Sequence, residues 1–356
     1  MVIYRSFHNI DLINSKLIQK DIPSDFNEFI EEYITFAVHN DNTKEYNIYN
    51  ENTTVVHCVF ELVRIALNYI NPNNVQIEEM NSYAESIADK LFREEQEVQQ
   101  EIEQMGKQVK KGSLFQAFIK DDNNKYMYII AKVEHSEWYD SDNLTKNRGF
   151  PSEKKNVWKS AVFPLIIIDE DVSFDTIRVY TDHPAKYWAT RFLELTEERN
   201  DHINTSRAFK FMEISLKRTV KSKSERDFYL LRNSLLQRLK KPNLVNYYEL
   251  IDELLDGYTP DEPNLDLNRV RQSLMELPDN NGFDKQFNSE PNAIPTKRRL
   301  NFAVTPEINL NIAGDSTDYY NHIRAKERSN GERYLEIDCQ DENTFKLFKE
   351  RIHNLV

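Results

Sequence analysis

Apolar positions recur at helical spacing through most of the first hundred residues. In the stretch FNEFIEEYITFAV, Phe29 and Ile30 follow Phe26 by three and four residues, which places their side chains on one face of a helix. The stretch TVVHCVFELVRIALNYI continues this pattern, and a third apolar stripe runs through the acidic segment from Glu78 to Glu103. The pattern predicts a mainly helical N-terminal region over residues 1–110.

The period changes at Gly112, where the chain reads GSLFQAFIKDDNNKYMYIIAKVEH. Two runs rich in β-branched and aromatic residues flank Asp-Asp-Asn-Asn, which favours a four-residue hairpin connection. Tyr128 to Ala131 is apolar without alternation, as expected for a strand that is covered on both faces. With two further candidates, VFPLIIID and TIRVYTD, the pattern predicts an antiparallel meander of about four strands over residues 111–181.

Helical spacing returns after residue 182 and continues to PDNNG at 278–282. Leucines and aromatic residues mark several consecutive amphipathic helices in this part of the chain, which predicts a helical bundle over residues 182–278. With the C-terminal part described next, these regions predict an α+β fold, because runs of helices and runs of strands follow one another instead of alternating.

The C-terminal part, residues 279–356, predicts a β-hairpin and a terminal helix. The pair Asn330-Gly331 can adopt the positive φ values of a tight hairpin turn. The last helical pattern is DENTFKLFKERIHNL, and its spacing predicts that Phe345, Phe348 and Ile352 face inward.

Composition excludes several classes of protein. The chain has 356 residues, of which 39% are hydrophobic, so a substantial core can be buried. No apolar run approaches the roughly 20 residues of a membrane-spanning helix, and the N-terminal sequence is unlike a secretory signal. We therefore expect a cytoplasmic protein that has no membrane partner.

Local motifs of common enzyme classes are absent from the sequence. None of the seven glycines stands in a G-x-G or a P-loop pattern, and neither G-x-S-x-G nor H-E-x-x-H occurs. Nucleotide-binding loops of those types, serine hydrolases and zincins are therefore poorly supported. The two cysteines, Cys58 and Cys339, are expected to be buried and inert thiols. The sequence implies no cofactor and no catalytic residue.

Positive charge is concentrated in one segment of an acidic chain. The formal net charge is −13, yet residues 205–241 hold 11 Lys and Arg against three Asp and Glu. We name this segment the basic island. Its predicted phosphate contacts are Arg207, Lys210, Lys217, Arg218, Lys221, Lys223 and Arg226, with Lys221, Lys223 and Arg226 at the centre. Further cations of the island are Arg232, Arg238, Lys240 and Lys241.

Side chains of this kind neutralise phosphates and release counterions, so they bind DNA without reading its bases. The alternative is that the island pairs with the protein's own acidic segment, Glu78 to Glu103. That segment could instead recruit a basic protein partner. A smaller cluster, Lys297 to Arg299, is either a second phosphate contact or a solvated loop. The sequence does not decide whether the protein forms a homodimer.

Acidic residues crowd the end of the predicted hairpin. The candidate metal ligands there are Glu134, His135, Glu137, Asp140 and Asp142. With the later Glu153 and Lys155, the two aspartates resemble a restriction-type nuclease site, in which carboxylates hold a divalent metal and a lysine positions the attacking water. The alternative is a solvated loop that caps the hairpin.

The chain also resembles the bacterial nucleoid-associated protein family across nearly its whole length. The segments similar to that family are LIQKDIPSDFNEFIEEYITFAV, AESIADKLFRE, KGSLFQAFIKDDNNKYMYIIAKVEH, YWATRFLELTEERNDHINTSRAFKFM, FDKQFNSEPNAIPTKRRLNFA, EINLNIAG and RYLEIDCQDENTFKLFKERI. The resemblance implies a nucleoid-linked DNA-associated protein without enzymatic activity. The long charged segment from His135 to Trp158 and the acidic net charge depart from the family, which for a divergent member favours another role near DNA, such as phage defence.

Overall fold

The computed structural model describes residues 1–69, 73–104, 106, 109, 111–139, 144–150, 157–168, 171–294, 300–312 and 319–349. The α-helices are α1 Asn27–His39, α2 Thr54–Asn68, α3 Asn74–Glu103, α4 Asp201–Leu216, α5 Glu225–Leu239, α6 Tyr247–Leu255, α7 Leu267–Met275, α8 Leu277–Asn281, α9 Tyr319–His322 and α10 Glu342–Phe348. Two π-helical turns occur at Trp188–Phe192 and Lys217–Lys221. This content of helices and strands is the predicted α+β class.

Strands are numbered in the same way. They are β1 Val2–Asp11, β2 Lys16–Gln19, β3 Lys44–Ile48, β4 Gly112–Lys120, β5 Tyr126–Glu134, β6 Ser136–Tyr139, β7 Lys146–Gly149, β8 Val157–Ile168, β9 Asp171–Phe174, β10 Ile177–Thr181, β11 Leu195–Glu197, β12 Leu244–Asn246, β13 Gln286–Asn288, β14 Leu300–Ala303, β15 Asn309–Ile312, β16 Ile323–Glu327 and β17 Arg333–Ile337.

A nine-stranded antiparallel sheet forms the centre of the described part of the chain. Its order is β11-β3-β10-β8-β5-β4-β1-β2, and β9 pairs with β8 beside this path. The predicted hairpin is β4 and β5, which pair in unbroken register from Gly112 opposite Glu134 to Lys120 opposite Tyr126. A Cβ atom at Gly112 would lie 2.5 Å from the carbonyl oxygen of Val133, so only glycine fits this position.

Helices cover the sheet on both faces. Side chains that alternate along β4 and β5 enter two different cores, one under α2 and α3 and the other under α1. Leu114 and Tyr128 belong to the first core, whereas Phe115 and Ile129 belong to the second. The apolar stretch without alternation in β5 is therefore a strand with two buried faces, as predicted.

The sheet is larger than the sequence pattern predicts, and it includes the N-terminus. β1, β2 and β3 belong to the region predicted as mainly helical, and β1 lies between β2 and β4. The prediction missed β1 because Ser6 and His8 are buried in the sheet, which removes the apolar alternation that marks a strand. Within the predicted bundle, residues 188–197 form no α-helix: a π-helical turn at Trp188–Phe192 is followed by β11.

A third core lies in the predicted helical bundle, which packs α4 to α7 around leucine and aromatic side chains. A polar junction connects it to the sheet. The Gln286 side chain exchanges hydrogen bonds of 3.0 Å with the backbone N–H and carbonyl of Thr181. At the same junction, Lys44 Nζ lies 2.6 Å from Asp201 and 2.8 Å from Glu197.

The C-terminal hairpin forms as predicted, but its helix faces solvent. β16 pairs with β17, and Gly331 in the connecting turn has a φ of 84°. The prediction that Phe345 and Phe348 face inward is wrong, because they are 52% and 77% exposed. Helical spacing shows that side chains share a face but does not supply a layer to cover them. Ile352 lies outside the described residues. In the part of the chain that is described, no helix has the length and apolar composition needed to cross a membrane.

Candidate nucleic-acid interface

The first half of the basic island is one face of a continuous helix. α4 begins after Asn200, whose side-chain oxygen accepts a 2.8 Å hydrogen bond from the backbone N–H of Ile203 and so caps the helix. The π-helical turn Lys217–Lys221 extends α4 to a total span from Asp201 to Lys221. The buried side of this helix contributes Phe209 and Met212 to the bundle core.

Five cations share the exposed side. We name them the cationic face: Arg207, Lys210, Lys217, Arg218 and Lys221. At 3.6 residues per turn their positions fall within an arc of about 100°, and roughly 14 residues at about 1.5 Å each give the face a length of about 20 Å. Ile203, one turn before Arg207, and Ile214, between Lys210 and Lys217, are exposed on the same side, at 38% and 51%. Five of the eleven cations counted in the basic island thus form an ordered row on the folded helix.

Acidic residues on the same helix do not interrupt this row. Glu213 lies at its edge, and its carboxylate accepts a 2.5 Å hydrogen bond from buried Arg232. Within the described residues, Lys217 and Arg218 form no ion pair, and Lys210 Nζ lies 5.3 Å from the ring centroid of Phe211. Arg207 is also exposed and donates to the backbone carbonyl of Gly282 at 2.5 Å.

The three cations predicted as central contacts have partners within the protein. Lys221 Nζ is 2.9 Å from Glu225, whose hydrogen bond raises the pKa of Lys221, and Arg226 is 3.2 Å from Asp261. Lys223 donates to the backbone carbonyl of Asn264 at 3.3 Å. The two ion pairs are exposed, so each contributes only about 0–1 kcal/mol to stability. Replacing the carboxylate partner by a phosphate therefore costs little free energy.

The second half of the island contributes largely to packing. Arg232 is buried against Glu213, and Arg238 bonds the Glu253 backbone carbonyl at 2.7 Å and its carboxylate at 3.1 Å. Lys241 is exposed beyond the end of α5. The island is therefore two surfaces with different roles, and sequence order alone could not separate them.

Several carboxylates of α3 have cationic partners outside the basic island. Arg191 contacts Glu94 at 2.8 Å, Glu97 at 3.1 Å and Glu101 at 3.0 Å. Buried Glu95, in the same helix, pairs with buried Lys132. These contacts weigh against the alternative that the acidic segment neutralises the island.

The sequence did not reveal the buried pair of Lys132 and Glu95 as a unit. Tyr187 donates to Glu95 at 3.0 Å, and Lys159 donates to Tyr187 at 2.9 Å, so the pair belongs to a polar network under α3. The signal in the sequence was a lysine, Lys132, within the apolar run of β5, which indicates a buried charge. Its partner could not be predicted from the sequence, because Glu95 is in α3, far from β5 along the chain.

The candidate metal site is only partly within the described residues. Asp140, Asp142, Glu153 and Lys155 lie outside them, as do Lys297, Arg298 and Arg299. Among the residues that are described, no group of three His, Cys, Asp or Glu side chains could hold a metal ion. His135 is described, and its Nε2 lies 2.9 Å from the Ser113 hydroxyl oxygen while its ring packs edge-on against Phe150.

The two cysteines differ from each other. Cys58 is buried in the core under α2, and burial raises the pKa of its thiol to about 11, as expected for an inert thiol. The prediction of a buried Cys339 is wrong, because that residue is exposed just after β17. Only a partner layer over the C-terminal hairpin could have buried it.

Fold and surface together define the class: an α+β protein whose helical bundle presents one cationic helix face. Comparison of the chain with protein-family models, with curated proteins and with solved structures gives no match.

Proposed function

We propose that the protein binds DNA through backbone phosphates, without sequence specificity and without catalysis, by means of the cationic face. The observation that carries this proposal is the alignment of Arg207, Lys210, Lys217 and Arg218 on one exposed helix side, with Glu213 at its edge and held by Arg232. The resemblance to nucleoid-associated proteins supports the same function.

The dimensions of the face fit a polyanion. A row of about 20 Å spans roughly six phosphates at about 3.4 Å per nucleotide along one strand. Lys221 ends the row, and Lys223 and Arg226 continue the positive charge beyond it; each of the three exchanges its internal partner for a phosphate oxygen. Because the chain as a whole carries a charge of −13, contact is confined to this face and affinity is modest.

The exposed isoleucines do not argue against this surface. Ile203 and Ile214 are on the same side as the cations, and apolar side chains contact sugars and the stems of neighbouring Lys and Arg. A binding mode that reads bases requires a polar side chain directed at base edges. The row consists mainly of cations, which supports phosphate contact and a role near DNA, including chromosome-associated or defence functions.

The experiment compares the unmodified protein with two variants that each lack three positive charges. One variant carries Lys210→Gln, Lys217→Gln and Arg218→Gln. The control carries Lys16→Gln, Lys125→Gln and Lys186→Gln, which removes three exposed lysines outside the bundle. Affinity is measured by fluorescence anisotropy with several unrelated duplexes, each about three turns long so that the whole row of phosphates is available.

The expected result is weaker binding of every duplex by the first variant and unchanged binding by the control. Equal affinities for all three proteins would refute the assignment, and equal weakening by both variants would show a general charge effect. The same incubations with Mg²⁺ or Mn²⁺ are resolved on a denaturing gel. DNA cleavage would favour the nuclease hypothesis over a non-enzymatic function.

A further inference from the structure

A cavity of about 380 Å³ lies on the α1 side of the sheet, at the end of the β4–β5 hairpin. This volume is within the range of small-molecule sites, roughly 300–1,000 Å³. The lining residues that define its chemistry are Phe7, Phe26, Phe150, Asn9, Ser113 and His135. They come from β1, β4 and the segments that follow β2, β5 and β7, so the folded sheet is needed to assemble the cavity.

Aromatic rings form its walls. Phe150 lies 5.4 Å from both Phe7 and Phe26 between ring centroids, and the His135 ring lies 4.8 Å from Phe150. Phe7 and Phe26 are themselves 5.8 Å apart and nearly perpendicular. Such rings offer faces and edges to a planar aromatic guest.

Polar groups are concentrated at one side of the cavity. Asn9 and Ser113 are directly opposite each other in the β1–β4 register, so their side chains are on the same face of the sheet. Ser113 is bonded to His135, whereas Asn9 Oδ1 is buried and has no hydrogen-bond partner among the described residues. An asparagine amide carries an acceptor oxygen and a donor NH2 side by side, so Asn9 can present both to a ligand.

Charged side chains mark the entrance. Lys20 and Asp21 also line the cavity and are exposed. A cation at this place can contact a phosphate, and a carboxylate can accept hydrogen bonds from sugar hydroxyls. The cavity therefore combines aromatic walls, a buried amide oxygen and charged side chains that reach solvent.

We propose that this cavity binds an adenine ring. An asparagine amide recognises adenine by a pair of hydrogen bonds, accepting from its amino group and donating to the neighbouring ring nitrogen. Phe7, Phe26 and Phe150 enclose the ring, while Lys20 and Asp21 meet the sugar or phosphate. This site is on the sheet and is independent of the proposed DNA contact on α4.

Isothermal titration calorimetry with the full chain tests the proposal. Adenosine and adenosine monophosphate are compared with inosine, in which a carbonyl replaces the amino group. Binding of adenosine that is roughly tenfold or more tighter than binding of inosine is expected, since one bidentate contact discriminates by about that factor. A short single-stranded oligo(dA) forms a further arm: preferential binding of this oligomer that Asn9→Leu weakens, and that the glutamine variant of Lys210, Lys217 and Arg218 retains, assigns the site to a base within a strand.

Variants connect the binding to the cavity. Asn9→Leu removes the amide, Phe150→Leu removes one aromatic wall outside any strand or helix, and Asn280→Leu is the control at an exposed position of α8. Loss of roughly tenfold in adenosine affinity is expected for the first two and none for the control. The proposal is overturned if adenosine and oligo(dA) both fail to bind at millimolar concentration. It is also overturned if inosine or indole binds as well as adenosine, or if both cavity variants bind like the unmodified protein.

Discussion

The buried histidine in β1 makes stability depend on pH in a direction that can be worked out. His8 is fully buried, its two ring nitrogens have no hydrogen-bond partner among the described residues, and burial lowers its pKa from 6.5 to about 4. The unfolded chain therefore binds a proton on His8 more readily than the folded chain. Because the folded-state pKa is lowered, stability is lost as pH falls from about 6.5 towards about 4.

The magnitude follows from the shift. With these two pKa values, acidification from about pH 7 to about pH 4.5 reduces the free energy of unfolding by about 2.5 kcal/mol through His8 alone. Asp284 acts in the opposite direction: burial raises its pKa from 3.8 to about 6, against the lowering effects of the Asn204 hydrogen bond and of Arg199. A group with a raised folded-state pKa stabilises the protein less as pH rises, and for Asp284 this contribution decreases by about 2 kcal/mol from about pH 4.5 to about pH 7. The two contributions nearly cancel in the unmodified protein.

The comparison with a His8→Leu variant isolates the histidine, since Asp284 is present in both proteins. Urea unfolding is followed by circular dichroism at about pH 4.5 and about pH 7, and the stability of the variant relative to the unmodified protein should increase by about 2.5 kcal/mol at the lower pH. His202→Leu, at an exposed position of α4, is the matched control and should show no such change. A stability difference for His8→Leu that is the same at both pH values would refute the reasoning.

Two further predictions concern other buried charges. The free energy of unfolding of Asp284→Asn, relative to that of the unmodified protein, should increase by about 2 kcal/mol when the pH rises from about 4.5 to about 7, which is opposite in sign to the His8 variant. The same urea titrations measure this difference. A relative stability that instead increases as the pH falls would contradict the raised pKa of Asp284. Lys132→Met should lower the free energy of unfolding by about 3–5 kcal/mol because it leaves Glu95 buried beside Tyr187 without its cation. The double variant Lys132→Met with Glu95→Leu should be destabilised less than the single one, and additive effects in this cycle would show that the two side chains are not coupled.

Local signals predicted the elements that sequence neighbours determine. The β4–β5 hairpin follows from its Asp-Asp-Asn-Asn connection and its two apolar runs, and the Asn330-Gly331 turn follows from its need for positive φ. β1 was missed because its place in the sheet depends on pairing with β4, which lies far along the chain, and because Ser6 and His8 conceal its pattern. Pairing between distant strands is not encoded in the periodicity of either one.

The candidate interface, too, could be predicted from the sequence only in part. The number of cations in the basic island was evident from the sequence, and helical spacing could have aligned Lys210, Lys217 and Arg218 once α4 was known to continue to Lys221. The partners of Arg232 and Arg238 could not be predicted, because Glu213 and Glu253 reach them only through the packing of the bundle. His135 drew attention as a metal ligand, whereas its described contacts are a serine hydroxyl and an aromatic cavity.

The salt dependence of DNA binding tests the central claim most directly. Anisotropy titrations of a random duplex are carried out from roughly 50 to roughly 200 mM salt, the range in which phosphate contacts change affinity most visibly. They compare the unmodified protein, the Lys210, Lys217 and Arg218 glutamine variant, and the matched lysine control. If the cationic face binds phosphates, the slope of log K against log salt should become shallower by about 0.9 for each phosphate that the variant no longer neutralises, or roughly 2.7 for three. An unchanged slope in that variant, or an equal reduction in the control, would contradict the account.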